Sequence, residues 1–265
     1  MTHTILMYHD ISPDRRRARF APFVVTPTAF AQQMDYLAGL GVRVCSVSEL
    51  ANARAEDGDS ISPMIGLTFD DAFYDLLANA LPVIRQHGFG ATVYAPTAYL
   101  GSTSRWLNGI GEGDRRIMSA TQLGELAEAG IECGSHTHTH PKLDALPEDA
   151  VRRELGLSKR ILEDALGLEI RSFAYPYGYE VKATRRLVAE AGYDSACRVN
   201  YATSPTDEDV YALSRLPVFG GADLDAFASL VGGRTSFVLR RAIAFAWQRL
   251  RLQAAALQAR RATRG

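Results

Sequence analysis

The sequence predicts an α/β fold with a parallel sheet or barrel over residues 1–231, followed by a basic amphipathic helix over 232–265. Short apolar runs alternate with helix-patterned stretches along most of the chain, which is the pattern of strand–helix units. Apolar residues make up 47% and charged residues 22%, as in an ordinary globular protein. A chain of 265 residues is also long enough to bury a sizeable core.

In chain order, TILMY (4–8) reads as a strand and TPTAFAQQMDYLAGLG (26–41) as a helix, with Thr26 or Thr28 near its cap and a closing glycine. Strand-like runs follow at VRVCSV (42–47), MIGLTF (64–69), GATVYA (90–95), GIECGS (130–135), RSFAYP (171–176) and DSACRV (194–199). Helix patterns lie between them at 72–87, 119–129, 147–166 and 180–191. The Gly/Ser/Arg-rich stretch 97–118 predicts a long loop at the rim of a site. In parallel barrels the chemistry stands at the C-terminal ends of strands. There the sequence places His9, then Asp70 and Asp71, then His136, His138 and His140, then Pro176 and Tyr177.

Several classes are disfavoured. A net charge of −1 provides no field for nucleic acid. Cys45, Cys133 and Cys197 form no CxxC pair, so neither a disulfide framework nor a cysteine metal site is expected. The first residues lack the basic and apolar regions of a leader, and no run reaches membrane-span length, so the expected compartment is the cytosol.

Adjacent aspartates after a buried strand are costly unless a cation meets them. Histidines at i and i+4 in HTHTH can converge on one ion, and a carboxylate completes a set with open positions for water. Each motif alone has a bland reading, as a helix cap or a polar loop. Together at strand ends they point to a divalent metal site.

In this order and spacing, TFDD, SHTHTH and FAYPYG resemble the polysaccharide deacetylases with a NodB-homology domain, carbohydrate esterase family 4. The resemblance runs from about residue 5 to 220. It implies a distorted (β/α)7-type barrel and hydrolysis of acetyl groups on sugars. It also implies one divalent metal ion, with zinc ahead of cobalt, nickel or manganese. Carried over by position, Asp71, His136 and His140 are the ligands and Asp70 is the general base. Tyr177, beside Pro176, offers its backbone N–H to the oxyanion while its ring shapes the acetyl pocket. His138 falls at an unconstrained motif position and is expected not to ligate.

Many members place a histidine acid near the C-terminus, but here no histidine follows His140. His87 reads as a helix-end cap and His3 precedes the first strand. His9, in Y-H-x-[IV], resembles a circularly permuted branch that includes biofilm poly-N-acetylglucosamine deacetylases, and there it is the general acid. The commoner third motif carries an arginine that orients the base, and Ala174 stands in its place. Arg171 and Arg215 are the candidates to replace it, with Arg215 favoured because Arg171 begins a strand.

From Gly232 onward the chain holds eight arginines and no acid. Leu239, Ile243, Trp247, Leu250 and Leu257 share a helical stripe. Two readings stand: peripheral contact with an anionic membrane surface through 236–261, or a cap on the barrel bottom. The resulting expectation is a cytosolic N-deacetylase, peripheral at the inner face of the cytoplasmic membrane under the first of these two readings. It acts on N-acetylhexosamine units of a bacterial exopolysaccharide or a lipid-linked oligosaccharide precursor. The rivals are a cyclic-imide or allantoin-type amidohydrolase on the same fold, and an inactive glycan-binding assembly subunit.

Overall fold

A computed structural model describes residues 2–13, 20–57 and 62–232. The predicted C-terminal helix over 232–265 lies, beyond its first residue, outside the described residues. The chain begins with β1 (Thr2–Tyr8), β2 (Asp10–Ile11), β3 (Val24–Val25), α1 (Pro27–Gly39), β4 (Arg43–Cys45), α2 (Val47–Asp57) and β5 (Met64–Phe69). It continues through α3 (Asp75–Asn79), α4 (Leu81–Gln86), β6 (Thr92–Ala95), α5 (Ala120–Glu128), β7 (Glu132–Ser135), α6 (Glu148–Leu166) and β8 (Ser172–Ala174). Then come α7 (Lys182–Glu190), β9 (Ser195–Val199), β10 (Ser204–Pro205), β11 (Leu213–Pro217) and α8 (Leu224–Val231).

Seven parallel strands close into a barrel in the order β1, β5, β6, β7, β8, β9 and β11, with β11 returning to β1. This is the expected (β/α)7-type barrel, and its distortion is visible. β4 runs beside the first half of β5, and β10 pairs antiparallel with the start of β1. Strands walled by helices are buried on both faces, and every residue of β5 is buried. The interior is filled by residues such as Ile5, Met64, Tyr94, Cys197 and Leu213. On the outside, α6 turns Val151, Leu155, Ser158 and Leu162 inward at helical spacing. The start of α1 is capped by Thr26, whose hydroxyl accepts from Ala29 N at 3.2 Å.

Three differences from the sequence pattern have local causes. The helix expected over 72–87 is broken into α3 and α4, because Pro82 in the first turn of α4 cannot donate to the preceding turn. The strand expected over 42–47 ends at Cys45, and Val47 instead opens α2. β11 escaped the apolar pattern because its centre is Ser214-Arg215, polar residues that are nonetheless buried. The stretch 97–118 is irregular as expected, with short 3-10 turns at Thr97–Tyr99 and Arg105–Ile110. The three cysteines are free and buried. Among the described residues, no helix is long and apolar enough to cross a membrane.

Candidate metal centre and active site

The barrel register brings the motifs together. Tyr8 pairs with Phe69 in parallel, so His9 and Asp70 leave neighbouring strands side by side, and Asp70 N donates to Tyr8 O at 2.9 Å. Two strands further on, at the end of β7, His136 N donates to Ala95 O of β6 at 3.1 Å. Its ring Nδ1 meets Ala174 O at 2.8 Å, which leaves Nε2 facing the centre.

Asp71, His136 and His140 offer ligand atoms that all lie within 4.8 Å of one another, and all three residues are buried. From Asp71 Oδ1, His140 Nε2 is 3.2 Å away and His136 Nε2 is 3.7 Å away. Asp71 Oδ1 and His140 Nδ1 have no hydrogen-bond partner. A buried carboxylate oxygen without a donor, facing two imidazole nitrogens, fits a divalent cation with an N,N,O donor set. Burial lowers the His136 pKa to about 4, so the imidazole is held neutral and able to ligate.

Backbone strain is concentrated here. Among the described residues, six non-glycine residues have positive φ; Asp71, Thr137, His140 and Tyr177 belong to the three motifs, and Ala72 directly follows the first. The HTHTH turn is held from inside and outside. Thr137 Oγ1 accepts from His140 N at 3.0 Å, and Glu154 of α6 accepts from His138 N and Thr139 N at 2.8 and 2.7 Å. In the next turn Pro176 is buried and Tyr177 has φ 62°. Its ring meets the His140 ring edge-on at 4.8 Å. Gly178 follows at φ +75°, where an added Cβ would sit 2.4 Å from Val199.

Asp70 is gripped by Arg215 and borders the donor set, its Oδ2 lying 4.0 Å from His136 Nε2. Arg215 Nη1 and Nη2 donate to its two oxygens at 2.6 and 2.8 Å, and Nη1 also reaches Thr68 Oγ1 at 3.2 Å. Burial alone would raise the Asp70 pKa, but the guanidinium, helped by His136, holds it at about 2. Arg171 lies elsewhere, half-exposed and paired with Glu169 and Asp194.

His9 is buried, with its ring 4.9 Å from that of Phe23 and 6.2 Å from that of Phe20. Burial lowers its pKa, while the charges of Asp71 and Asp70 pull the other way. The remaining histidines stand apart. His138 Nδ1 is 2.9 Å from Thr97 Oγ1, and His87 stands at the C-cap of α4 as expected, with its Nε2 3.1 Å from Asp35 Oδ1. His3 is buried at the start of β1, where its Nδ1 accepts from Met64 N at 3.2 Å.

Sequence reasoning singled out the rim loop but not the residue it delivers. Trp106 stacks on His140 with ring centroids 5.0 Å apart and 28° between planes. A tryptophan in a Gly/Ser/Arg-rich stretch was the available signal, since a large ring there has no core to join. Glu154 carried no such signal, because its partners His138 and Thr139 lie about a helix length away in sequence.

The polysaccharide deacetylase family profile matches residues 57–196. The Bacillus subtilis protein YxkH is 25% identical over 227 residues, which cover 86% of this chain and 75% of that protein. The poly-beta-1,6-N-acetyl-D-glucosamine N-deacetylase of Staphylococcus epidermidis is 24% identical over 222 residues, covering 79% of this chain and 71% of that enzyme. Among solved structures, the Streptococcus pyogenes deacetylase PplD, in complex with acetate, superposes with a TM-score of 0.74 at 24% identity. That likeness covers 87% of this chain and 98% of PplD.

Proposed function

Because the chain belongs to the polysaccharide deacetylase family, we propose that it is a metal-dependent N-deacetylase of N-acetylhexosamine units. Its substrate is an exopolysaccharide or the lipid-linked precursor of one. The observation that carries this reading is the pairing of two sites on one rim: the Asp71, His136 and His140 donor set beside an Asp70 clamped by Arg215.

Asp71, His136 and His140 would hold the ion, and zinc suits a donor set of two imidazoles and a carboxylate. Bound there, a divalent ion supplies Lewis-acid polarisation of the acetyl carbonyl and a more acidic water. The protein's own groups move the protons. Asp70, kept ionised by Arg215, accepts the proton of the attacking water. The Tyr177 backbone N–H donates to the oxygen that gains charge, and Pro176 fixes the turn that presents it. His9 gives its proton to the departing amine, so acetate and a free amino sugar leave. Burial lowers the His9 pKa overall, and the charges of Asp71 and Asp70 work against that to favour the protonated imidazole this role needs.

The relatives support the substrate class, since one of them is named for poly-beta-1,6-N-acetyl-D-glucosamine. Attachment of residues 236–261 to the inner face of the cytoplasmic membrane, read from the sequence, would present a lipid-linked precursor to the rim. The test is mass spectrometry of N-acetylglucosamine oligomers and lipid-linked glycans incubated with zinc-loaded enzyme. Loss of acetyl, with acetate released, is the expected result. Intact glycans combined with ring opening of a cyclic imide would replace this reading with an imide hydrolase. Intact glycans that remain bound would indicate a glycan-binding subunit.

A further inference from the structure

Two buried carboxylates and a largely covered arginine tie the strand end that delivers His9 to the loop that covers His140. Asp10, the residue after His9, is fully buried and ion-paired with Arg115. Arg115 Nη1 also lies 3.4 Å from Glu112 Oε2, and Glu112 is 2% exposed. The guanidinium sits over two rings, 4.8 Å from the Phe20 centroid and 5.3 Å from that of Phe73. Each ring touches the site: Phe20 faces His9, and Phe73 stacks on Trp106 with centroids 6.5 Å apart.

The same residues close the loop on itself. Ser104 N donates to Arg115 O at 2.9 Å, and Ser104 Oγ donates to Glu112 O at 2.6 Å. Trp106 lies inside that closed turn, stacked on His140, and its indole N–H is buried with no acceptor. Taking two carboxylates and most of a guanidinium out of water is expensive, and apolar side chains of similar volume would pack as well or better. An ion pair kept beside the site despite that penalty fits a demand for geometry, not stability.

We propose that Arg115 is a positioning residue for substrate. By clamping Asp10 to Glu112 it holds Trp106 flat on His140, and the Trp106 N–H then donates to an oxygen of the N-acetylated sugar. Nothing else among the described residues satisfies that donor. The inference rests on the deacetylase reading for its substrate. The placement of Trp106 is a separate claim about the protein itself.

The chain has two tryptophans, so Trp247→Phe leaves Trp106 as the only indole fluorophore. In that background, the triple change Asp10→Asn, Glu112→Gln and Arg115→Met removes the three charges together. Cobalt added to the parent should quench Trp106, which stacks on a candidate ligand. At equal metal content by elemental analysis, the triple variant should be quenched far less. Its KM for an N-acetylglucosamine oligomer should rise ~10-fold with kcat changed less than ~3-fold, the signature of lost uniform binding. If the triple variant is insoluble, Arg115→Lys carries the same test, because it keeps the charge and loses the planar fork. Parent-like quenching and KM in the folded variants overturn the proposal. A parent quenched by cobalt but inactive on every glycan sinks the deacetylase reading and leaves the Trp106 placement standing.

Discussion

Arg215 grips Asp70 with a parallel fork, Nη1 to Oδ1 at 2.6 Å and Nη2 to Oδ2 at 2.8 Å, across 145 residues of sequence. Arg215 is fully buried and Asp70 nearly so. A bidentate guanidinium–carboxylate contact fixes orientation as well as charge. It therefore aims the carboxylate as well as keeping it ionised, and the proposed role of Asp70 as base needs both.

Asp70→Asn should lower kcat by ~10²–10⁴-fold, the usual contribution of a general base. It also leaves Arg215 buried opposite a neutral amide, so stability should fall by ~3 kcal/mol or more. Metal content should stay near that of the parent. Activity within a few-fold of the parent would show that another group takes the proton.

His136→Ala should abolish stoichiometric metal binding, while His138→Ala should leave it nearly unchanged. The contrast follows from geometry, since His136 belongs to the converging donor set and the His138 ring is engaged with Thr97. Elemental analysis after gel filtration decides it. Full occupancy in His136→Ala protein would remove this donor set from consideration.

The metal-free protein should lose stability on mild acidification. Burial holds the His136 pKa at about 4 against an ordinary value of 6.5, so between those values the unfolded chain binds more protons. Stability then rises with pH across that window and is lost as pH falls through it, by on the order of 3 kcal/mol from this residue. Urea unfolding of metal-free protein at pH 7 and pH 4.5 measures the slope. His136→Gln should flatten it, and an unchanged slope in that variant would assign the effect to another group.

His9→Ala should keep the metal and the melting temperature but lower kcat on a sugar amide by ~10²-fold or more. Hydrolysis of an acetate ester with a good leaving group, which hardly needs the proton, should suffer far less. Equal losses on the two substrates would mean that His9 is structural.

Deleting residues 236–265 should release the protein from anionic liposomes in a sedimentation assay and leave it folded. The motive is an arginine-only tail with an apolar helical stripe. A truncated protein that precipitates would support the alternative, a segment that caps the barrel.

By itself the sequence determined the parts whose physics is local. Apolar runs and helical periods located most strands and helices, and residues at strand ends marked the rim, because burial and chain direction leave a repeating pattern. TFDD, HTHTH and PYG were legible for a related reason. Their strained turns need particular residues at fixed spacing, and the positive φ angles at Asp71, His140 and Tyr177 show that strain directly.

Only the tertiary structure decided which distant groups meet. β11 looked too polar to be a barrel strand until Asp70 supplied the counter-charge that lets Arg215 be buried. Trp106 became part of a site only when its loop folded over His140. Arg115, one arginine among many in the sequence, was distinguished by Asp10 and Glu112. In each case the deciding energy is a desolvated contact between groups far apart in the chain, and desolvation depends on the whole barrel being closed around them.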